Sequence, residues 1–198
     1  MSAGIRYASE PRPDTGVTNT SLGMWLFLAS EAMLFGSLFS AYALLRTGAA
    51  SWPDQSATLN VPIAGVNTAI LVLSSVAIVR ATAAASGASF ERFRRVMGLS
   101  FGLGALFLVV KAIEYRNELA EGLLPSTNNF LGLYFTLTGL HALHVIGGLL
   151  VNGHLWWTGE AMWRTTPERF VSRVRAAALY WNFVDLIWLI MFVVLYLL

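Results

Sequence analysis

Cysteine is absent from this 198-residue sequence, and charged side chains make up only 12% of it. The lack of cysteine excludes disulfides, thiolate metal sites and iron–sulfur clusters, so a bound metal would need histidine or carboxylate ligands. Typical soluble domains carry about 25% charged residues. The low charge, together with a hydrophobic content of 56%, excludes an ordinary soluble globular protein and predicts an integral membrane protein.

Five apolar stretches are long enough to cross a bilayer, because a hydrocarbon core of about 30 Å needs about 20 helical residues. The spans run approximately over residues 22–45, 61–84, 96–115, 130–157 and 176–198. Turn-forming residues lie between them, and no connection is long enough to form a soluble domain. The sequence therefore predicts an all-α integral membrane bundle of five transmembrane helices.

The first 21 residues have no apolar core and contain Pro11, Pro13 and Gly16. This composition predicts an irregular arm over residues 1–21 and no cleavable signal peptide.

The distribution of arginine predicts the orientation of the spans. Ten arginines fall in the arm and in the second and fourth connections, whereas only Arg46 and Arg116 fall in the alternate connections. Loops rich in Lys and Arg stay in the cytoplasm, so we expect a cytoplasmic N-terminus and an outside C-terminus. The arginines are spread over several loops instead of one patch, which argues against nucleic acid as a partner.

Ionisable side chains inside a span cost about 2.5–3.5 kcal/mol on insertion scales, so each indicates a partner or a function. Glu31 lies deep in the first predicted span, where its short side chain cannot reach water. A neutral carboxyl hydrogen-bonded to a neighbouring helix explains it, and so does a proton-active site or a lipid-facing regulatory group. The residues alone favour the first explanation.

Further polar residues lie in the later spans. Lys111 and Glu114 are three residues apart on one helical face, which predicts a structural ion pair. His141 and His144 also share a face, and Asn182 and Asp185 add polar groups to the fifth span.

All three histidines, His141, His144 and His154, lie on the fourth span. A heme inside a bundle needs an axial ligand from each of two helices, and copper or iron would need about three imidazoles converging from different directions. The pattern therefore favours structural histidines hydrogen-bonded to the bundle, with no metal or redox cofactor in this chain.

In order along the chain, the motifs resemble subunit III of the heme-copper oxidases. The stretch Gly-Leu-His-Ala-Leu-His-Val-Ile-Gly-Gly over residues 139–148 is similar to the family's most specific signature, Gly-x-His-x-x-His-Val-x-x-Gly. Similar segments are the Ser-Glu ending at Glu31, Val-Asn-Thr at 66–68, Lys-Ala-Ile-Glu-Tyr at 111–115 and Tyr-Trp-Asn-Phe-Val-Asp-Leu-Ile-Trp at 180–188. Asn182 stands where the family has histidine, so a role that rests on that imidazole is not carried over.

The resemblance implies an accessory subunit without heme or copper in the bacterial plasma membrane, in the family's short five-helix form. Its partners would be the catalytic subunit I, the other oxidase subunits and bound phospholipids. Subunit I carries heme and copper, reduces oxygen and pumps protons. Such a subunit supports assembly, oxygen access and proton uptake, and Glu31 corresponds to the family's buried carboxylate. The alternatives are a subunit-III-like partner of a quinol oxidase or nitric oxide reductase, a small b-type heme protein, and, more remotely, a transporter.

Overall fold

The computed structural model describes residues 12–13, 16–87 and 89–198. Within these ranges the secondary structure is helical and contains no strand, which confirms the all-α prediction. The helices are α1 (Asn19–Gly48), α2 (Gln55–Thr58), α3 (Val61–Ser86), α4 (Phe90–Ala120), α5 (Asn129–Thr165) and α6 (Pro167–Phe192), which ends in a π-helical turn (Val193–Leu197). Five of them, all except α2, are long and apolar enough to cross a membrane.

Side-chain caps fix where several of these helices begin. The side chains of Thr18, Asn60 and Asn128 accept hydrogen bonds from backbone N–H groups in the first turns of α1, α3 and α5. Such caps satisfy donors that have no partner inside the helix. Pro167 opens α6, where a missing N–H costs nothing.

Helices α3, α4, α5 and α6 form the core of the bundle. Helix α3 packs against α4 and α6, and α5 packs against the same two helices. Trp181 of α6 lies at the centre, fully buried, where its ring lies against one glycine of α4 and one of α5. A Cβ on Gly104 of α4 would lie 2.7 Å from the Trp181 ring, and one on Gly148 of α5 would lie 2.6 Å from it. These glycines allow the close helix approach.

Helix α1 lies on the outside of this core, against α5 and α6. Its buried residues are Leu28, Phe35 and Tyr42, which recur every seven residues and form a narrow seam. Large apolar side chains on the remaining surface are exposed, among them Leu26, Met33 and Leu44. In a membrane protein this surface faces lipid or other subunits.

The helices are longer than the predicted spans. The predicted arm over residues 1–21 lies mostly outside the described residues, and α1 begins at Asn19. The predicted second and fourth connections, which contain Arg92 and Arg169, are largely helical, because α4 begins at Phe90 and only Thr166 separates α5 from α6. Helix geometry continues past the apolar stretch, since polar residues can extend a helix into water.

Candidate functional site

A carboxylate–imidazole pair joins α1 to the core. Nε2 of His144 on α5 lies 2.9 Å from Oε2 of Glu31 on α1, and the two side chains are only 13% and 15% exposed. At a helical rise of 1.5 Å per residue, Glu31 lies about 18 Å and about 26 Å from the ends of α1. The pair therefore sits at membrane depth, between the peripheral helix and the bundle.

The contacts of His144 define its tautomer. Nδ1 lies 2.8 Å from the backbone oxygen of Leu140. A carbonyl oxygen only accepts, so Nδ1 must carry a hydrogen. One further proton is then shared between Nε2 and Glu31, which gives either a neutral imidazole with a carboxylic acid or an imidazolium with a carboxylate. The His144 ring also packs edge to face against Phe35, with centroids 5.2 Å apart. The backbone oxygen of His144 accepts a hydrogen bond from the Tyr180 hydroxyl.

A second polar cluster lies between α4, α5 and the π-helical turn. The Lys111 ammonium is fully enclosed, and its Nζ lies 2.7 Å from the hydroxyl oxygens of both Tyr134 and Tyr196. It is 3.1 Å from Oε2 of Glu114, which places the predicted partners together. The ammonium therefore donates to two hydroxyl oxygens and forms an ion pair with Glu114.

The same two tyrosine hydroxyls also form hydrogen bonds to two carboxylates. The Tyr196 hydroxyl donates to Glu114 Oε1 at 2.7 Å, and the Tyr134 hydroxyl donates to Glu118 Oε1 at 2.7 Å. One ammonium thus faces two buried carboxylates. Glu114 and Glu118 also line a cavity of about 240 Å³ at the end of the bundle next to α2. The cluster is an extended ion-pair network, larger than the predicted pair.

The other predicted site residues lie apart from these two clusters. Asp185 is buried, and its Oδ2 accepts a hydrogen bond from Ser75 of α3. Asn182 lines a shallow apolar cavity between α1 and α6. His141 is fully buried between the rings of Phe107 and Trp188, 5.8 Å and 5.2 Å away.

His141 differs from the expectation of hydrogen-bonded histidines. Neither of its ring nitrogens has a hydrogen-bond partner among the residues described. Across the same residues, no group of three or more His, Asp or Glu side chains is arranged to hold a metal ion.

Several members of the network were not predicted from the sequence. Glu118 lies one heptad beyond Lys111 on the same helical face, so spacing alone could have indicated it, but it falls outside the predicted span that ends at 115. Tyr134 and Tyr196 come from other helices. Tyrosine is common at membrane interfaces, and nothing in the sequence marks these two as partners of a lysine.

The fold and its buried polar groups define the class of protein: a multi-pass helical membrane protein whose five spanning helices enclose ion-paired side chains. The family model described as cytochrome c oxidase subunit III matches residues 14–198. The chain belongs to the cytochrome c oxidase subunit III family, which confirms the resemblance seen in its motifs.

Relatives of two kinds are similar to this chain. Subunit 3 of the cytochrome bo(3) ubiquinol oxidase of Pseudomonas aeruginosa is 34% identical over 183 residues, covering 90% of this chain and 85% of the relative. Cytochrome c oxidase subunit 3 of Thermostichus vulcanus is 36% identical over 178 residues, covering 89% and 86%. That of Corynebacterium diphtheriae is 34% identical over 203 aligned positions, covering 99% and 94%.

Proposed function

We propose that this chain is the non-redox accessory subunit III of a proton-pumping, oxygen-reducing terminal oxidase of the cytochrome c oxidase type. It binds the catalytic heme-copper subunit I and membrane phospholipids, and it supports assembly, oxygen access and proton uptake. Family membership carries the assignment to an oxidase complex. The observation that carries the supporting role is the Glu31–His144 pair.

The pair has the properties of a proton-holding group at the edge of the subunit. Its proton can move between Nε2 and the carboxyl oxygen over 2.9 Å while Nδ1 keeps its bond to Leu140. Both side chains retain about one-seventh of their exposure, so the pair is neither sealed in the core nor open to water. A partner subunit or lipid beside α1 can therefore exchange this proton or interact differently with its two positions.

We also propose an orientation, which the distribution of charge in the fold supports. Arg92, Arg94 and Arg95 lie at the start of α4, and Arg164 and Arg169 flank the junction of α5 and α6, all at one end of the bundle. The opposite end carries Arg46 and Arg116. Cationic loops favour the cytoplasmic side, so we assign the arginine-rich end to the cytoplasm of a bacterial inner membrane.

Replacing Glu31 with glutamine tests the supporting role. Glu31→Gln keeps the size and the hydrogen-bonding capacity but cannot hold the proton, so we expect normal assembly and normal heme spectra with a shortened active lifetime. The measurement is oxygen consumption by the purified oxidase followed until activity decays. The matched control is Glu160→Gln, because Glu160 pairs on the outer face with Arg164 and with no other side chain among the residues that the structure describes. If the activity of Glu31→Gln decays at the same rate as that of the wild type, the proposed role of Glu31 is wrong.

Similarity to the Pseudomonas aeruginosa protein supports a second candidate, a subunit of a ubiquinol oxidase. The two candidates differ in the electron donor of the whole complex. Oxygen consumption by the purified complex with reduced cytochrome c, compared with ubiquinol, separates them. A preference for ubiquinol would favour the second candidate function, and the proposed role of Glu31 would be unchanged.

A further inference from the structure

A polar cavity of about 240 Å³ opens at the end of the bundle next to α2, opposite the arginine-rich end. Its lining includes Glu114 and Glu118 of α4 and Glu121 just beyond the end of that helix. These residues are spaced four and three positions apart, which places them on one helical face. Thr58 and Asn60 complete the polar lining. The cavity is smaller than the roughly 300–1,000 Å³ of small-molecule sites, so it has room for a single side chain.

The cavity carries an excess of negative charge. Its three carboxyl groups are accompanied by one buried cation, Lys111, which is 3.1 Å from Glu114 and reaches Glu118 through the Tyr134 hydroxyl. The described residues that line the cavity include no arginine, lysine or histidine. Arg116 is two positions from both Glu114 and Glu118, so it lies on another side of α4. Carboxylates close together in a partly buried place repel one another, and a further cation would therefore be stabilised there.

One carboxylate oxygen of this group lacks a hydrogen-bond donor. Glu118 is 6% exposed and its Oε1 accepts the hydrogen bond of Tyr134, but its Oε2 is buried without a partner in the part of the chain that the structure describes. The Thr58 hydroxyl, on the other side of the cavity, donates instead to the backbone oxygen of Asp54. A buried carboxylate oxygen without a donor is costly. Because Glu118 lines the cavity, a bound group that brings N–H donors would satisfy this oxygen.

The arrangement fits an organic cation better than a metal ion. A calcium ion takes about six to eight oxygen ligands around one point. Over the described ranges, no three Asp, Glu or His side chains converge in this way. A guanidinium instead presents several N–H donors in a flat fork and pairs with carboxylate oxygens that lie side by side. Oε2 of Glu118 and the carboxylate of Glu121, one helical turn further along, offer such acceptors.

Exposed apolar residues follow these carboxylates along the chain. Leu119 and Leu124 are 47% and 46% exposed. Helix α4 has 31 residues. By helical rise it is about 46 Å long, so its ends project beyond a hydrocarbon core of about 30 Å. Leu119 and Leu124 lie at or after the last turn of α4, where acyl chains do not cover them. Apolar residues beside acceptors for arginine are typical of the buried part of a protein–protein interface.

We propose that this cavity receives an arginine side chain of a neighbouring subunit of the oxidase complex. The guanidinium donates to Oε2 of Glu118 and pairs with Glu121, while Leu119 and Leu124 pack against the same neighbour. The hydrogen bond from Tyr134 to the other oxygen of Glu118 holds the carboxylate in place for this contact. The inference rests on the proposed function, which supplies the oxidase complex, and identifies one contact within that complex.

Site-specific photo-crosslinking in the purified complex tests the contact. A photo-reactive amino acid replaces Asn117, which is exposed and lines the cavity. Cross-linked peptides, produced by a protease that does not cut at arginine, are mapped by mass spectrometry. We expect one dominant adduct, to a peptide of another subunit that contains an arginine. The matched control places the same amino acid at Arg116, on another side of α4, and should not label that peptide.

Charge variants separate an ion pair from simple proximity. Glu118→Gln keeps an acceptor for Tyr134 but removes the charge, so the cross-linked subunit should dissociate about tenfold faster or more during a mild-detergent wash. Glu121→Gln, which leaves the Lys111 network intact, should raise the rate up to about fivefold. Glu91→Gln, on the exposed surface at the opposite end, should leave the rate unchanged. Replacing the arginine of the cross-linked peptide with glutamine should add nothing further to the effect of Glu118→Gln.

Three results would overturn the proposal. The first is an intact complex with no adduct from position 117, or with adducts only to phospholipid or to peptides without arginine. The second is equal dissociation of wild type, Glu118→Gln and Glu121→Gln. The third is a rise in Tm of the wild-type complex on adding calcium chloride that Glu118→Gln abolishes, which would show a metal site instead. In all three the heme-bearing chains still co-purify with this subunit, whereas failure of the proposed function would leave them absent.

Discussion

At the scale of single residues, the buried polar groups divide into two kinds of environment. Lys111, Glu114 and Glu118 are enclosed and joined by tyrosine hydroxyls, which is how a bundle accommodates charge away from water. Glu31 and His144 are instead partly exposed at the contact between α1 and α5. The enclosed network suits a structural role, whereas the partly exposed pair lies where, under the proposed function, a neighbouring subunit or lipid contacts it.

Part of this arrangement could be predicted from spacing. Lys111 and Glu114 are neighbours on one helix, so the distance of three residues was sufficient to expect the contact. Glu31 and His144 are 113 positions apart, and only the packing of α1 on α5 brings them together. Whether side chains on different helices meet depends on how each helix is rotated and tilted. The spacing of apolar residues does not determine this when a helix is apolar on every face.

Asp185 gives a prediction at this scale. Its carboxylate accepts the hydrogen bond from Ser75 and links α6 to α3. Asp185→Leu removes the link, and we expect a loss of about 0.6 kcal/mol, the mean measured for hydrogen bonds between membrane helices, with about 1.7 kcal/mol as the upper bound. The yield of this subunit in the purified complex should fall.

Asp185→Asn retains an acceptor oxygen and serves as the matched control, with a yield near that of the wild type. A normal yield for Asp185→Leu would contradict the assigned role of Asp185 as an interhelical partner.

At the scale of helices, the apolar stretches located all five spans because length and hydropathy suffice for this purpose. Their ends were less predictable. Helix α6 begins at Pro167, nine residues before the predicted span, because its first turns carry arginines that a hydropathy pattern assigns to a loop. Residues such as arginine are good helix formers, so a helix continues where the apolar signal stops.

Close packing of α5 on α6 gives a prediction at this scale. A methyl group at position 148 would lie 2.6 Å from the Trp181 ring, and Tyr180 at 3.2 Å leaves little space to move. We expect Gly148→Ala to destabilise the subunit by about 1–3 kcal/mol through overpacking, measured as a lower Tm of the purified complex.

Gly102→Ala is the control, because an added Cβ at this exposed helical position meets nothing within 4 Å. It should be neutral or slightly stabilising, since alanine favours the helix. Equal melting of the two variants would mean that α5 and α6 are not as close as described.

At the scale of the whole molecule, the subunit is a four-helix core with one peripheral helix and little polar surface outside its two ends. Helix α1 buries only a narrow seam, so its remaining apolar surface needs lipid or another subunit to cover it. The family is one of subunits of oxidase complexes, and this architecture is compatible with that membership. The motif pattern alone predicted the family, since its segments occur in order along nearly the whole chain.

The most direct test of the central claim is a reduced-minus-oxidised visible spectrum of the complex, purified in mild detergent through a tag on this chain, with its subunits identified by mass spectrometry. If this chain is an accessory subunit, heme signals co-purify with larger partner chains and disappear when a harsher detergent removes those chains. Stoichiometric heme remaining on the isolated 198-residue chain would show that it is not, and would make the histidines of α5 heme ligands.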